Sequence, residues 1–289
     1  MNLIVEAMSK KLLRGYEVNY VERNPRGQKL IVLLHGFGAS TYSWMTVIDE
    51  LARHGHVVAY DRPGFGFTDK PTIWNGTNPY SFAGQIELLD AVITHFGDGR
   101  DVVLVGHSAG GQLAAHYAVH NPAKVSALVL ESPAIFASGP PAFVTSILRF
   151  GPLQNLGPRL IGGFAKIGHK ILEESFWDKS KLTEEVIRGY ERPMDDPHWK
   201  VGLWEFLKAD KRTDVRKRLP ELSMPTFVIT GQHDTIVKVE QTMKVAERIA
   251  GHRIYLVPEA GHLAHEEQPA DFMRVVAKWL QGAARSNPS

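Results

Sequence analysis

The fold class that the sequence predicts is an α/β domain built on a mostly parallel sheet with helices on both faces. Three observations predict it. Short apolar runs recur at residues 30–34, 57–60, 102–105, 125–130, 226–230 and 253–257, and helical patterns separate most of them. Several of these runs are continuously apolar, as expected for strands covered on both faces by crossover helices. One long segment, from 133 to about 219, breaks the alternation, because it holds no convincing strand. A stretch of that length without strands reads as a helical insertion lying over the carboxyl edge of the sheet.

The elements follow in order. Residues 16–22 alternate and read as a half-buried strand, closed by a turn over Asn24, Pro25, Arg26 and Gly27. The apolar run 30–34 leads straight into His35, Gly36, Phe37 and Gly38, and a helix is expected through Trp44, Val47, Ile48 and Leu51. The strand at 57–60 ends in a glycine- and proline-rich loop over 61–71. A helix from Ser81 to about His95 places Phe82, Ile86, Leu89 and Ile93 on one face, with Ser81 as its N-cap. The run 102–105 stops at Gly106, and an alanine-rich helical pattern begins at Ala109 and ends near Pro122. After the insertion come the strands at 226–230 and 253–257, a helix around 239–249 between them, and a last helix over 271–280. The insertion carries glycine–proline pairs between 139 and 158 and later Phe176, Trp177, Trp199, Trp204 and Phe206. Its basic run, 208–218, is interrupted by Asp210 and Asp214 and reads as a solvated helix face.

Composition narrows the function classes. The chain has 289 residues, 44% hydrophobic and 22% charged, with a net charge of +2, which is too small to argue for nucleic acid or an anionic membrane. It contains no cysteine, which excludes disulfides, thiolate catalysis and cysteine metal sites. In residues 1–11 the positive charges follow the apolar run, the wrong order for a secretory signal, and the sequence holds no uncharged run of the about 18 apolar residues that span a bilayer. The expectation is a cytoplasmic protein without stable membrane insertion, a monomer or homodimer, using no cofactor and no metal.

Gly106-x-Ser108-x-Gly110 lies between the strand and the helix, the setting of a nucleophile elbow, in which a side chain at either glycine would crowd the neighbouring strand or helix. About 0.1 such matches are expected by chance at this composition, so the pattern needs partners elsewhere in the chain. A serine hydroxyl is a weak nucleophile until a base takes its proton, and the base needs a third group to orient it. Such groups gather at the carboxyl ends of strands in open α/β sheets. Of the 13 histidines, His262 lies in a loop just beyond the last strand, with His265 its nearest rival. The acid candidate is Asp234, immediately after the strand ending at Thr230; alternatively it caps the helix near Val239. Glu131, at the end of the strand 125–130, is the alternative acid. The candidate oxyanion donors are the backbone N–H groups of Ala109, at the start of a helix, and of Phe37, in the loop after the strand 30–34; the bland alternative for that loop is an ordinary strand-to-helix turn.

Residues 106–111, 35–38, 61–71, 231–234 and 260–267 together resemble the α/β-hydrolase superfamily, in its capped group of carboxylesterases, carbon–carbon bond hydrolases, haloalkane dehalogenases and epoxide hydrolases. The resemblance covers 16–131 and 220–280 and implies an eight-stranded type of sheet, with residues 1–132 and 220–289 as the core and 133–219 as a cap. It also implies a chemistry. Dehalogenases and epoxide hydrolases of this group carry an aspartate at the elbow, where this chain has Ser108. Carbon–carbon bond hydrolases usually carry small polar residues around the serine and an asparagine in the oxyanion region, where this chain has His107, Ala109 and Phe37 to Ser40. The expectation is therefore a carboxylesterase acting through Ser108, Asp234 and His262 on small to medium, largely apolar esters. A hydrolase of meta-cleavage-type diketones and a non-catalytic ligand receptor on the same fold are the alternatives.

Overall fold

The structure, a computed structural model, describes residues 8–137 and 164–283. The glycine–proline pairs of the insertion lie outside the described residues. The first half of the chain gives strands β1 (Met8–Leu13), β2 (Tyr16–Arg23), β3 (Lys29–Leu34), β4 (His56–Tyr60), β5 (Asp101–His107) and β6 (Ala127–Glu131). Among these run helices α1 (Ile48–Leu51), α2 (Phe82–Gly97) and α3 (Ala109–His120). The insertion follows β6 and supplies α4 (Phe164–Ser175), α5 (Glu184–Glu191), α6 (Trp199–Lys208) and α7 (Val215–Arg218). The chain then returns to the sheet with β7 (Thr226–Gly231), α8 (Val239–Ala246), β8 (Arg253–Val257), α9 (Ala264–Glu267) and α10 (Pro269–Ala283).

The eight strands form one sheet in the order β1-β2-β4-β3-β5-β6-β7-β8. β1 pairs with β2 and β2 with β4 in antiparallel fashion, and every pair from β4 onward is parallel. The period of two along a strand divides the core into two layers. In β3, Leu30, Val32 and Leu34 pack in one layer with side chains of α2 and α3, while Ile31 and Leu33 pack in the other with α1 and α10. β4 lies on one side of β3 and β5 on the other, so the strand order reverses at β3. The loops after β3 and β5 therefore meet at a topological switch point, where open α/β sheets place their sites.

Residues 8–13 form an edge strand. Two local expectations change. The expected helix through Trp44, Val47, Ile48 and Leu51 is broken into a 3₁₀ turn (Thr41–Trp44), capped by the Ser40 side chain, and the single turn α1. The basic run at 208–218 is not one helix face: α6 ends at Lys208, and α7 starts only at Val215. Ser81 caps α2 as expected, its hydroxyl accepting from the Gly84 N–H at 3.0 Å. Among the described residues no helix is long and apolar enough to cross a membrane.

The described part of the insertion lies across the loops that follow the parallel strands. Phe206 packs edge-on against Phe65, after β4, with ring centroids 4.6 Å apart, and lies 5.8 Å from Phe37, after β3. Trp177 stacks on His233, after β7, at 3.8 Å. Leu172 and Phe176 close over Leu263, after β8. Lys70 Nζ reaches the Asp196 carboxylate at 2.6 Å.

Candidate active site

The elbow begins with backbone strain. β5 runs to His107 and α3 starts at Ala109, so a single residue turns the chain, and Ser108 does so at φ +54° and ψ −117°. A β-substituted residue adopts this region only when its surroundings impose it. Here the Ser108 N–H donates to the Glu131 carbonyl at 2.9 Å, and its own carbonyl accepts from Gln112 and Ala134 at 3.1 and 3.0 Å. The turn also needs strand and helix to touch. A Cβ on Gly106 would stand 2.6 Å from the Gly110 carbonyl oxygen, and one on Gly110 would stand 2.1 Å from that of Leu34. Both glycines are therefore required by close backbone approach, as the motif implied. Ser108 itself is 8% exposed, at the mouth of the helix dipole of α3.

Asp234 and His262 come together from loops 28 residues apart in sequence. His262 Nδ1 lies 2.8 Å from Asp234 Oδ2, and both side chains are buried. The second oxygen of Asp234 accepts the backbone N–H groups of Ile236 and Val237 at 2.9 and 3.0 Å. The capping role weighed for this residue is not what the structure shows, because the N-cap of α8 is Lys238; Asp234 instead holds the turn before it with one oxygen and meets the histidine with the other. Since the carboxylate only accepts, Nδ1 carries a proton and Nε2 is the nitrogen left facing away from Asp234. The loops are stitched together: Gln232 N–H donates to the Val257 carbonyl and His233 N–H to that of Ala260, both at 2.9 Å. From the insertion, the Ser175 carbonyl accepts the His262 N–H at 2.8 Å, while Glu267 accepts the Gly261 N–H at 2.6 Å.

The rivals go elsewhere. His265 is fully buried, stacked on Trp44 at 4.6 Å, with Nδ1 2.8 Å from Glu131 Oε2 and its backbone N–H donating to Glu131 Oε1 at 3.0 Å. Burial works against protonation of that ring, but Glu131 and then Glu266 outweigh it and raise its pKa. Glu131, the alternative acid, is thereby committed to His265 rather than His262.

His107 links the elbow to the loop that carries His262. Its Nε2 donates to the His262 carbonyl at 3.0 Å, its ring packs 4.6 Å from that of His262, and burial, with His262 and His265 nearby, holds it well below the ordinary histidine range. A neutral His107 thus spaces the His262 loop from the elbow without adding charge. The loop after β3 has its own bracing. His35 Nδ1 donates to the Gly36 carbonyl at 2.8 Å, and its Nε2 accepts the Arg62 N–H at 3.0 Å. The buried Arg62 guanidinium donates to the same Gly36 carbonyl and to Gln85 Oε1, each at 2.8 Å. Burial, then Arg62, keeps His35 neutral. Gly36 approaches the elbow so closely that a Cβ there would stand 3.3 Å from the Ser108 Cβ. The next residue, Phe37, is 45% exposed, its ring edge-on to Phe65 at 5.5 Å. Among the described residues, no acceptor is bonded to the N–H of Phe37 or of Ala109.

Sequence reasoning did not find the bracing residues Arg62, Gln85, His107 and Glu267. Arg62, His107 and Glu267 lie inside segments quoted for the resemblance, which gave no bracing role to any of them.

Comparison with known proteins decides the family. A family model described as the alpha/beta hydrolase fold matches residues 29–269. The chain belongs to the alpha/beta hydrolase family. It is 29% identical, over 93% of this chain and 89% of the relative, to the 2-hydroxy-6-oxo-6-(2'-aminophenyl)hexa-2,4-dienoic acid hydrolase of Metapseudomonas resinovorans. It is 26% identical, over 92% of this chain and 79% of the relative, to the monoacylglycerol lipase ABHD6 of Homo sapiens. Among solved structures it is similar to a thermophilic esterase from Thermogutta terrifontis, with TM-score 0.77 and 23% identity, covering 96% of this chain and 98% of that one. That last likeness is one of fold. This chain is a hydrolase of the superfamily.

Proposed function

We propose that the chain is a serine hydrolase of carboxylic esters, with Ser108 as nucleophile, His262 as general base and acid, and Asp234 as the group that orients it. The observation that carries the reading is the 2.8 Å Asp234–His262 contact in a loop pair that His107 ties to a strained serine turn. In the acylation step Ser108 Oγ attacks the ester carbonyl carbon while its proton passes to His262 Nε2. Asp234 stabilises the imidazolium that forms and holds the tautomer that makes Nε2 a base. The carbonyl oxygen, now an oxyanion, accepts from the N–H groups of Ala109 and Phe37, which are fixed before the reaction begins. Collapse of the tetrahedral intermediate breaks the ester C–O bond, and the alkoxide takes the proton from His262. Water then attacks the acyl-enzyme with His262 again as base, releasing the carboxylic acid and free Ser108.

Residues 1–132 and 220–289 act as the core in this reading and 133–219 as the cap. The apolar side chains of Phe37, Phe65 and Phe206 over the strand ends favour small to medium acyl esters. The identity of 29% to a hydrolase of a dienoic acid supports a second reading, cleavage of a carbon–carbon bond in a meta-cleavage-type diketone by the same residues. A substrate panel decides between them. Hydrolysis of p-nitrophenyl esters with an acyl-enzyme burst, abolished in Ser108→Ala, is expected; turnover of the diketone with inert esters would replace the esterase reading.

A further inference from the structure

Away from this site, three side chains with metal-ligating atoms converge on the far end of α3. His116 and His120 stand one helical turn apart, and Asp214 comes from the segment just before α7, where the insertion returns to the sheet. Their donor atoms all lie within 4.8 Å of one another. Asp214 Oδ1 is 3.3 Å from His116 Nδ1, and Asp214 Oδ2 is 3.3 Å from His120 Nε2.

The hydrogen bonding of His120 leaves this arrangement incomplete. His120 Nδ1 lies 2.9 Å from the His116 carbonyl oxygen, which only accepts, so Nδ1 carries a proton. In the neutral ring Nε2 then points a lone pair at a carboxylate, and two acceptors face each other. A second proton on the ring gives an ion pair, but a charge-assisted N–H···O contact closes to about 2.7–2.9 Å, shorter than the 3.3 Å found here. That spacing is instead close to the edge of a tetrahedron, about 3.4 Å for nitrogen and oxygen ligands bound at about 2.0–2.2 Å. A carbonyl on the far ring nitrogen is also the usual way in which a metal-binding histidine is oriented. Arg218 comes to 3.7 Å from Asp214 but is held by Glu221 at 2.6 Å, and the Thr213 hydroxyl, 2.8 Å from His116 Nδ1, is placed to make way for the ion or join it.

We propose that His116, His120 and Asp214 bind a divalent transition-metal ion, and that the ion ties α3 to the segment returning from the insertion. Two imidazoles and one carboxylate are a donor set for zinc, nickel or copper rather than magnesium or calcium. This departs from the expectation of no metal, because residues 94 positions apart in sequence show their spacing only once folded. The ion's role is to brace: α3 begins at the residue after Ser108, and a clamp at its other end fixes the helix against the insertion.

The test uses the whole chain, freed of metal with a chelator and titrated with zinc chloride alone, with calorimetry and thermal melting as readouts. The expected result is one ion per chain at micromolar affinity and a rise in Tm at saturation. His120→Ala and, separately, the near-isosteric Asp214→Asn should each weaken binding by about tenfold or more and remove the Tm rise. His262→Ala should retain both, which separates this site from the candidate active site. Absence of zinc binding by the wild type, binding undiminished in His120→Ala and Asp214→Asn, or binding lost in His262→Ala would each overturn the proposal. None of these readouts depends on turnover, so their failure is distinct from failure of the hydrolase reading.

Discussion

Replacing Asp234 by asparagine changes one atom, and the structure dictates which way the new amide faces. Oδ1 accepts two backbone N–H groups, from Ile236 and Val237, so the asparagine carbonyl stays there and its NH₂ group is turned toward His262 Nδ1. A donor now faces Nδ1, which must become the lone-pair nitrogen, and the proton moves to Nε2. In that tautomer Nε2 cannot accept the proton of Ser108. Loss of the productive tautomer in a serine triad costs about 10⁴ in kcat, equivalent to about 5 kcal/mol of transition-state stabilisation. The assay is steady-state hydrolysis of a p-nitrophenyl ester, with Tm recorded for each variant. Glu131→Gln is the comparison. It removes one partner of a fully buried ion pair with His265 and costs about 3–5 kcal/mol of stability, read as a fall in Tm rather than a matching fall in kcat. An Asp234→Asn enzyme that keeps more than about a tenth of wild-type kcat would show that Asp234 does not set the tautomer of His262. So would a Glu131→Gln enzyme that folds normally and loses turnover.

Two further predictions concern stability. A Cβ at Gly110 would stand 2.1 Å from the Leu34 carbonyl oxygen and 2.6 Å from that of His35, both backbone atoms of β3 and its loop. Gly110→Ala should therefore cost at least about 3 kcal/mol, with a Tm several degrees lower; an unchanged melting curve would contradict the close packing of α3 on β3. Glu266 has a side chain 5% exposed, and burial raises its carboxyl to about 7, against the opposing pull of His265 and of the Tyr190 hydroxyl that donates to it. Its folded pKa lies above the unfolded value of 4.5, so its stabilising contribution is complete below about 4.5 and is lost as pH rises through about 7. Glu266→Gln removes that titration. Its Tm relative to wild type should thus climb between pH 5 and 8, by the equivalent of at most about 3 kcal/mol, whereas a difference independent of pH would contradict the assignment.

The parts of the site that were legible in the sequence share a local cause. Ser108 follows directly on a strand of apolar residues, and Asp234 and His262 lie in the loops just beyond two others, so strand ends could be counted and the polar residues beyond them compared. The close approach at Gly106 and Gly110 was legible for the same reason, since strand and helix are separated by one residue. What escaped depends on partners distant in sequence. Arg62 is buried because the Gly36 carbonyl and Gln85 receive it, and neither is near it along the chain. Glu131 ends a strand in the same way as the other candidates do, and only the fold shows that His265 rather than His262 is its partner. The expected helix after β3 failed on a local competition: the Ser40 hydroxyl accepts the Tyr42 N–H and draws the chain into a 3₁₀ turn. In the insertion, helical composition was visible, but the end of α6 before the polar stretch at 209–214 was hidden by the basic residues on either side.

Whether Ser108 is the nucleophile that His262 activates is read by treating the whole chain with a fluorophosphonate and locating the adduct by mass spectrometry of the digested protein. One phosphonyl group is expected, on the peptide carrying Ser108, absent from Ser108→Ala and formed far more slowly in His262→Ala. Labelling at another residue, or labelling of Ser108 at an undiminished rate in His262→Ala, would contradict those roles.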